Sequence, residues 1–160
     1  MPVLQFNSRG LLIPDMNIPA SRSDFEKEFV TNIPSVERRD LFENYIRYSE
    51  SLKALCSEGT VLQWINGSFV TKSNPGDIDM ISFIDFDILK TVEKKITPYK
   101  YPNSYQNFGV DAYIMAIYPD NHPLYWMYVS DRAYWMDLFT KTKRNRAGTK
   151  WPKGFLEINY

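Results

Sequence analysis

The run Asp77-Ile78-Asp79-Met80-Ile81-Ser82-Phe83-Ile84 narrows most sharply what this chain can fold into. It follows the turn-forming Ser73-Asn74-Pro75-Gly76 and is short, apolar and rich in β-favouring residues, so it reads as a strand from Asp77 to Phe83 or Ile84 that opens on two acids. Residues i and i+2 of a strand share a face, which puts the carboxylates of Asp77 and Asp79 on one side, about 6–7 Å apart. Ile78 and Met80 turn the other way, towards the core. The paired acids repel each other and lose hydration. Neither Ile81 nor Phe83, the next residues on that face, supplies a positive charge to offset them. An oxygen-only ligand set of this kind suits Mg²⁺.

The rest of the chain supplies strands and helices to build around that segment. Residues 1–22 read as irregular, with Gly10, Pro14 and Pro19 interrupting any period. Ser23-Asp24-Phe25-Glu26 has the form of a capping box opening a helix to about Val30. Ser35 is placed to cap a long helix to about Glu58, closed by Gly59, with Leu41, Tyr45, Ile46, Leu52 and Leu55 at helical spacing. Val61–Ile65 forms a strand, 86–96 a helix, 98–107 a loop and Val110–Tyr118 a strand. Residues 130–141 form a last helix capped by Ser130, and Gly154–Ile158 a final strand. The order α-α-β-β-α-β-α-β predicts a single α/β (α+β) domain over residues 1–160, a mixed β-sheet flanked by helices.

Charge is balanced overall, with 19 basic and 19 acidic side chains, but unevenly spread. Lys141, Lys143, Arg144, Arg146, Lys150 and Lys153 form a basic loop, 141–153, that contains no acid, while the first 140 residues carry a net charge of −5 (13 basic, 18 acidic). That asymmetry points to a localised anion site rather than a nucleic-acid coat. A solvated charge run is the competing reading, and Lys153, beside Gly154 and a strand, is the member assigned a functional role. Aromatics make up 16% of the chain. Most of them read as packing and a minority as a base-stacking platform. His122 has no His or Cys partner in spacing for zinc. No Walker loop or Gly-x-Gly-x-x-Gly is present. No segment has the length and apolarity of a membrane helix. The single cysteine, Cys56, reads as a buried apolar residue in a reducing compartment, so a cytoplasmic location is expected.

A third acid, Asp111, opens the Val110–Tyr118 strand. If that strand neighbours the one at 77–84, three carboxylates converge, a geometry that can hold two metal ions for in-line phosphoryl displacement. In isolation Asp-x-Asp is also an ordinary polar strand start after a Pro-Gly turn. Upstream, however, a strand runs into Gly67-Ser68, where a glycine lets phosphate approach the backbone. The ordered set Trp64-Ile65-Asn66-Gly67-Ser68, Asp77-Ile78-Asp79-Met80 and Asp111 resembles the polymerase-beta-like nucleotidyltransferases. The strings Gly67-Ser68-Phe69-Val70-Thr71-Lys72 and Asn74-Pro75-Gly76-Asp77-Ile78-Asp79 are more specifically similar to an uncharacterised bacterial group of short nucleotidyltransferase-like proteins. Gly10-Leu11-Leu12-Ile13-Pro14, Trp135 and Lys153-Gly154-Phe155-Leu156-Glu157-Ile158 extend that resemblance over nearly the whole chain.

The resemblance implies a polymerase-beta-like fold in which Asp77, Asp79 and Asp111 are catalytic and bind Mg²⁺ or Mn²⁺. It also implies that Gly67 and Ser68 hold the phosphates of a nucleoside triphosphate substrate, and that Asp111 helps activate an attacking hydroxyl. The eight residues between Ser68 and Asp77 make a loop shorter than is usual in the family. An Arg that many members carry soon after Gly-Ser is absent, leaving Lys72 as the nearest candidate cation. The expected activity is transfer of NMP to a hydroxyl acceptor, a protein or RNA, in a toxin–antitoxin or defence setting. A small-molecule (antibiotic) acceptor and a non-catalytic nucleotide- or partner-binding module are the alternatives.

Overall fold

Strand-forming segments far apart in the chain assemble into one mixed sheet. The computed structural model describes residues 3–57 and 60–160. The strands are β1 (Gln5–Phe6), β2 (Leu12–Ile13), β3 (Asn17–Pro19), β4 (Leu62–Asn66), β5 (Asp79–Asp85), β6 (Asp111–Ile117) and β7 (Phe155–Asn159). Five of them form a sheet in the order β3-β7-β4-β5-β6, while β1 and β2 pair as a separate two-stranded sheet. β5 and β6 run parallel, as do β3 and β7; β4 is antiparallel to both its neighbours.

Among the described residues five α-helices accompany the sheet: α1 (Arg22–Glu26), α2 (Val36–Cys56), α3 (Phe86–Thr91), α4 (Asn103–Phe108) and α5 (Tyr125–Phe139). None of them is long and apolar enough to cross a membrane. Alternation along each strand divides the apolar residues between two layers. Ile65, Met80, Ala112, Leu156 and Ile158 face Phe25 of α1, Phe29 of the following turn and Tyr45, Tyr48 and Leu52 of α2. Trp64, Ile81, Phe83, Met115 and Phe155 face Trp135, Met136 and Phe139 of α5. Helices thus cover both faces.

Several local expectations are corrected. The segment 1–22, expected to be irregular, holds the β1–β2 pair and β3 in its described part from residue 3 on. Pro19 is accommodated because β3 is an edge strand, where a missing N–H leaves no ladder bond unmade. The capping box uses Ser21 rather than Ser23, with Asp24 N–H donating to Ser21 Oγ at 3.0 Å and Ser21 N–H donating to Asp24 Oδ2 at 3.0 Å. α1 runs on into a π-helical turn, Lys27–Thr31. Ser35 caps α2 as expected. That helix ends at Cys56, with Ser57 left-handed, and the expected closing Gly59 lies outside the described residues. α3 stops at Thr91, and the expected loop at 98–107 contains α4. α5 begins at Tyr125, five residues before Ser130, after a turn in which Leu124 N–H donates to His122 Nδ1 at 3.0 Å. Its apolar residues on nearly every side left no helical stripe to mark that start.

One buried cation organises the path from the helical layer to the sheet's edge. Arg38 on α2 is 1% exposed and donates to four backbone carbonyls: Phe29 (3.2 Å), Phe69 (2.8 Å), Thr71 (2.7 Å) and Ser73 (2.5 Å). Burial lowers its pKa. Three of those carbonyls lie in the segment between Gly67-Ser68 and Asp77. Arg38→Ala should lower the free energy of unfolding by several kcal/mol, since each orphaned buried carbonyl costs about 1–3 kcal/mol. Arg38→Lys should recover less than half of the loss, because a point ammonium lacks the planar fork. Urea unfolding of both variants checks this, and full rescue by lysine would count against the clamp.

Candidate metal and nucleotide site

The parallel pairing of β5 and β6 sets Asp79 directly opposite Asp111, and the antiparallel pairing of β4 and β5 sets Asn66 opposite Asp79. Asn66, Asp79 and Asp111 therefore form one row across three strands, on the face covered by α5. Asp77 joins them differently from the expectation. The strand starts at Asp79, so Asp77 belongs to the preceding loop and not to an i, i+2 pair on a strand. Even so, one carboxylate oxygen from each of Asp77, Asp79 and Asp111 lies within 4.8 Å of the others. A hydrogen bond from Asp111 N–H to the Ile78 carbonyl (3.0 Å) ties the loop to β6.

The three carboxylates carry an electrostatic cost. Burial raises the Asp79 pKa, and Asp77 raises it further; Lys143 and Lys153 act in the opposite direction. Asp111 is pushed up to about 6, first by burial and then by Asp77 and Asp79. None of the three forms an ion pair among the described residues. A crowded, oxygen-only, partly desolvated donor set is the environment that a hard divalent cation relieves, so these residues fit Mg²⁺ or Mn²⁺.

Gly67 is required by its surroundings. Its backbone (φ 85°, ψ −172°) lies in a region essentially confined to glycine, and an added Cβ would lie 2.8 Å from Asp79 Oδ2. The 3₁₀ turn Ser68–Val70 follows, and Ser68 Oγ accepts from Gly76 N–H at 3.4 Å across the short loop. Gly67, Ser68 and the three acids line one cleft of about 950 Å³.

The structure brings Lys153 to this cleft and leaves Lys72 out of its lining. Lys153 is 5% exposed, and its Nζ donates to Asn66 Oδ1 and to the Phe139 carbonyl (3.2 Å). Burial lowers its pKa to about 8 against an opposing pull from Asp79. Lys72 instead pairs with Glu28 at 2.7 Å and sits 4.0 Å from the centre of the Phe6 ring. The basic stretch is a hairpin-like fold rather than an open loop: Lys141 bridges to Pro152, and Thr142 N–H donates to the Trp151 carbonyl at 2.8 Å. Lys143, Arg144 and Lys150 line the cleft from it and form no ion pair among the described residues. Two contributors were not singled out from sequence. Asn66 is visible only as the residue before Gly67, and Arg38, which holds the loop, shows no local motif.

Asp111 gives the site a pH signature. Its folded-state pKa of about 6 exceeds the roughly 3.9 of an unfolded aspartate. Folding then favours its protonated form, a contribution present below about pH 4 and lost as pH rises through 6. At pH 7 without metal, Asp111→Asn should therefore melt above the parent, by about 3 °C for each kcal/mol recovered. Mn²⁺ should stabilise the parent and leave the variant unmoved. Scanning calorimetry in chelator and in Mn²⁺ reads both, and a variant still stabilised by Mn²⁺ would contradict the assignment. Gly67→Ala should cost about 1–3 kcal/mol through backbone strain and weaken Mn²⁺ binding in a calorimetric titration.

Comparison with known proteins adds one finding. No curated protein and no solved structure matches this chain. Residues 4–159 match the model of a family of unknown function, DUF6932. With that match spanning nearly its whole length, the chain belongs to the DUF6932 family.

Proposed function

We propose that this protein is a metal-dependent nucleotidyltransferase of the polymerase-beta-like kind, moving NMP from a nucleoside triphosphate to a hydroxyl acceptor. The observation that carries the reading is the convergence of Asp77, Asp79 and Asp111 beside a glycine-only turn in one cleft. A mixed sheet with the acids at one end of its strands is compatible with that fold, and the acidic row next to a glycine-only turn suits phosphoryl chemistry.

In this reading Asp77, Asp79 and Asp111 hold the divalent cations, which supply positive charge against the triphosphate. Gly67 keeps the backbone clear so that a phosphate oxygen can approach the turn, and the Ser68 hydroxyl is placed to donate to it. Lys143, Arg144 and Lys150 line the same cleft and bring positive charge to it. Lys153 fixes Asn66 from below and keeps a positive charge near Asp79 without pairing to it. The acceptor oxygen forms a bond to the α-phosphorus as the bond to the pyrophosphate oxygen breaks, and the acceptor proton passes to Asp111. Rate comes mainly from positioning these groups rather than from covalent participation.

The test is incubation of the purified protein with each α-³²P-labelled triphosphate and Mg²⁺ or Mn²⁺, alone, with lysate and with bulk tRNA. Asp77→Asn and Asp79→Asn should each reduce label transfer by at least about a hundredfold while melting at or above the parent temperature in chelator. Transfer that persists in both variants would remove the site assignment. Metal-dependent triphosphate binding without any transfer would favour the non-catalytic binding module.

A further inference from the structure

The cleft wall on the β6 side is aromatic, and nothing in the metal chemistry uses it. Tyr113 lies two residues beyond Asp111 on the same face of β6. Its ring stacks on Tyr101 (centroids 5.6 Å apart, planes 27° apart) and packs against Trp135 at 4.9 Å. Trp135 in turn meets Tyr134 edge-on at 5.4 Å. All four rings line the cleft that holds the carboxylates. The result is a ladder, Tyr101–Tyr113–Trp135–Tyr134, that runs from the turn before α4 across β6 to α5. Tyr101 is held in place by its own backbone, whose N–H donates to the Ala112 carbonyl at 2.8 Å.

The two inner rings are half-buried, but the two ends are open. Tyr101 is 49% exposed and Tyr134 63% exposed. Large rings left in water at a cleft mouth are a standing cost, and their π-faces are stacking platforms for flat ligands. A nucleoside triphosphate brings one base and can cover one end. The other end remains for a second base. Lys143, Arg144 and Lys150 line the same cleft, without carboxylate partners among the described residues, in a molecule whose first 140 residues are net acidic. Backbone-binding cations and base-stacking rings in a single open cleft match a single strand of nucleic acid. A folded protein acceptor requires neither.

Resting on the nucleotidyltransferase reading for the chemistry, we infer that the hydroxyl acceptor is the end of a single strand of nucleic acid, bound with its terminal bases on the Tyr101–Tyr134 wall and its phosphates along Lys143, Arg144 and Lys150. The terminal sugar hydroxyl then faces Asp111. A duplex end keeps its bases stacked on each other and gains nothing from the wall, so single strands are preferred.

The experiment measures binding of fluorescein-labelled oligoribonucleotides, single-stranded and duplex, of about 12 nucleotides, in Mg²⁺ buffer without triphosphate. Single-stranded RNA should bind more tightly than duplex. Tyr101→Ala and Tyr134→Ala should each weaken it about tenfold, with Phe at either position restoring it. Lys143→Ala, Arg144→Ala and Lys150→Ala should each flatten the salt dependence by about 0.7 in log–log slope. Both tyrosines are exposed, and unchanged melting temperatures establish that these variants fold. Absence of binding, or binding indifferent to both tyrosines, overturns the inference. So does label transfer to a protein acceptor at parental rate by the Tyr101→Ala/Tyr134→Ala double variant, a result that leaves the nucleotidyltransferase reading standing. RNA binding of the expected kind with no transfer from any triphosphate does the reverse: it upholds the single-strand site and removes the enzyme.

Discussion

The side-by-side parallel pairing of β5 and β6 is the constraint from which the site follows. Parallel strands cannot be joined by a tight turn, so the chain between Asp85 and Asp111 must leave the sheet, pass through α3 and α4, and return. It returns in a register that places Asp111 level with Asp79. Because side chains alternate every residue, a slip of one position in that pairing would turn Asp111 into the α2 layer and Ala112 out towards the cleft. The apolar partners Met80 and Ala112, buried on the other face, hold the register in place. Hydrophobic packing on one side of the sheet thereby determines the spacing of charges on the other.

Those charges are unfavourable to the fold and informative about its use. A protein selected only for stability would not leave Asp79 and Asp111 desolvated beside Asp77 with no cation among their described ion-pair partners. Lys153 shows the same tension from the opposite sign: it is nearly buried, its pKa is pulled down, and its ammonium is spent on Asn66 and a helix-end carbonyl rather than on a carboxylate. Neither set of charges neutralises the other. The site is kept as an open arrangement, with acids at the starts of β5 and β6 and cations on the hairpin that lines the same cleft.

Sequence reading recovered the elements with strong local signals. The long α2, its Ser35 cap, β4, the body of β5, β6 and β7 all lie within two residues of expectation or begin where capping chemistry said they would. The convergence of Asp77, Asp79 and Asp111 was legible because an ordered motif spread over three segments is far more specific than any one of them. What could not be read depended on contacts distant in sequence. β3 is a strand because β7, well over a hundred residues away, lends it a ladder. The start of α5 was unreadable because its apolar residues lie on nearly every side, Trp126, Val129, Tyr134 and Leu138 among the exposed ones, and this erases the period that would mark it. The assignment of Asp77 to a strand failed because the ladders with β4 and β6 both begin at Asp79, leaving Asp77 in the turn that follows Pro75-Gly76, where alternation does not apply. Lys72 looked available only because Glu28 and Phe6, its partners, come from distant parts of the chain.

Arg38 grips the loop between Ser68 and Asp77 through three main-chain oxygens, and its guanidinium lies over the Phe69 ring, 5.2 Å from the centroid. The grip of such a clamp is set by the spacing of carbonyls along the chain. An insertion or deletion within residues 69–73 would carry oxygens out of reach of a guanidinium locked in the core, so the shortness of the loop is tied to the buried Arg38.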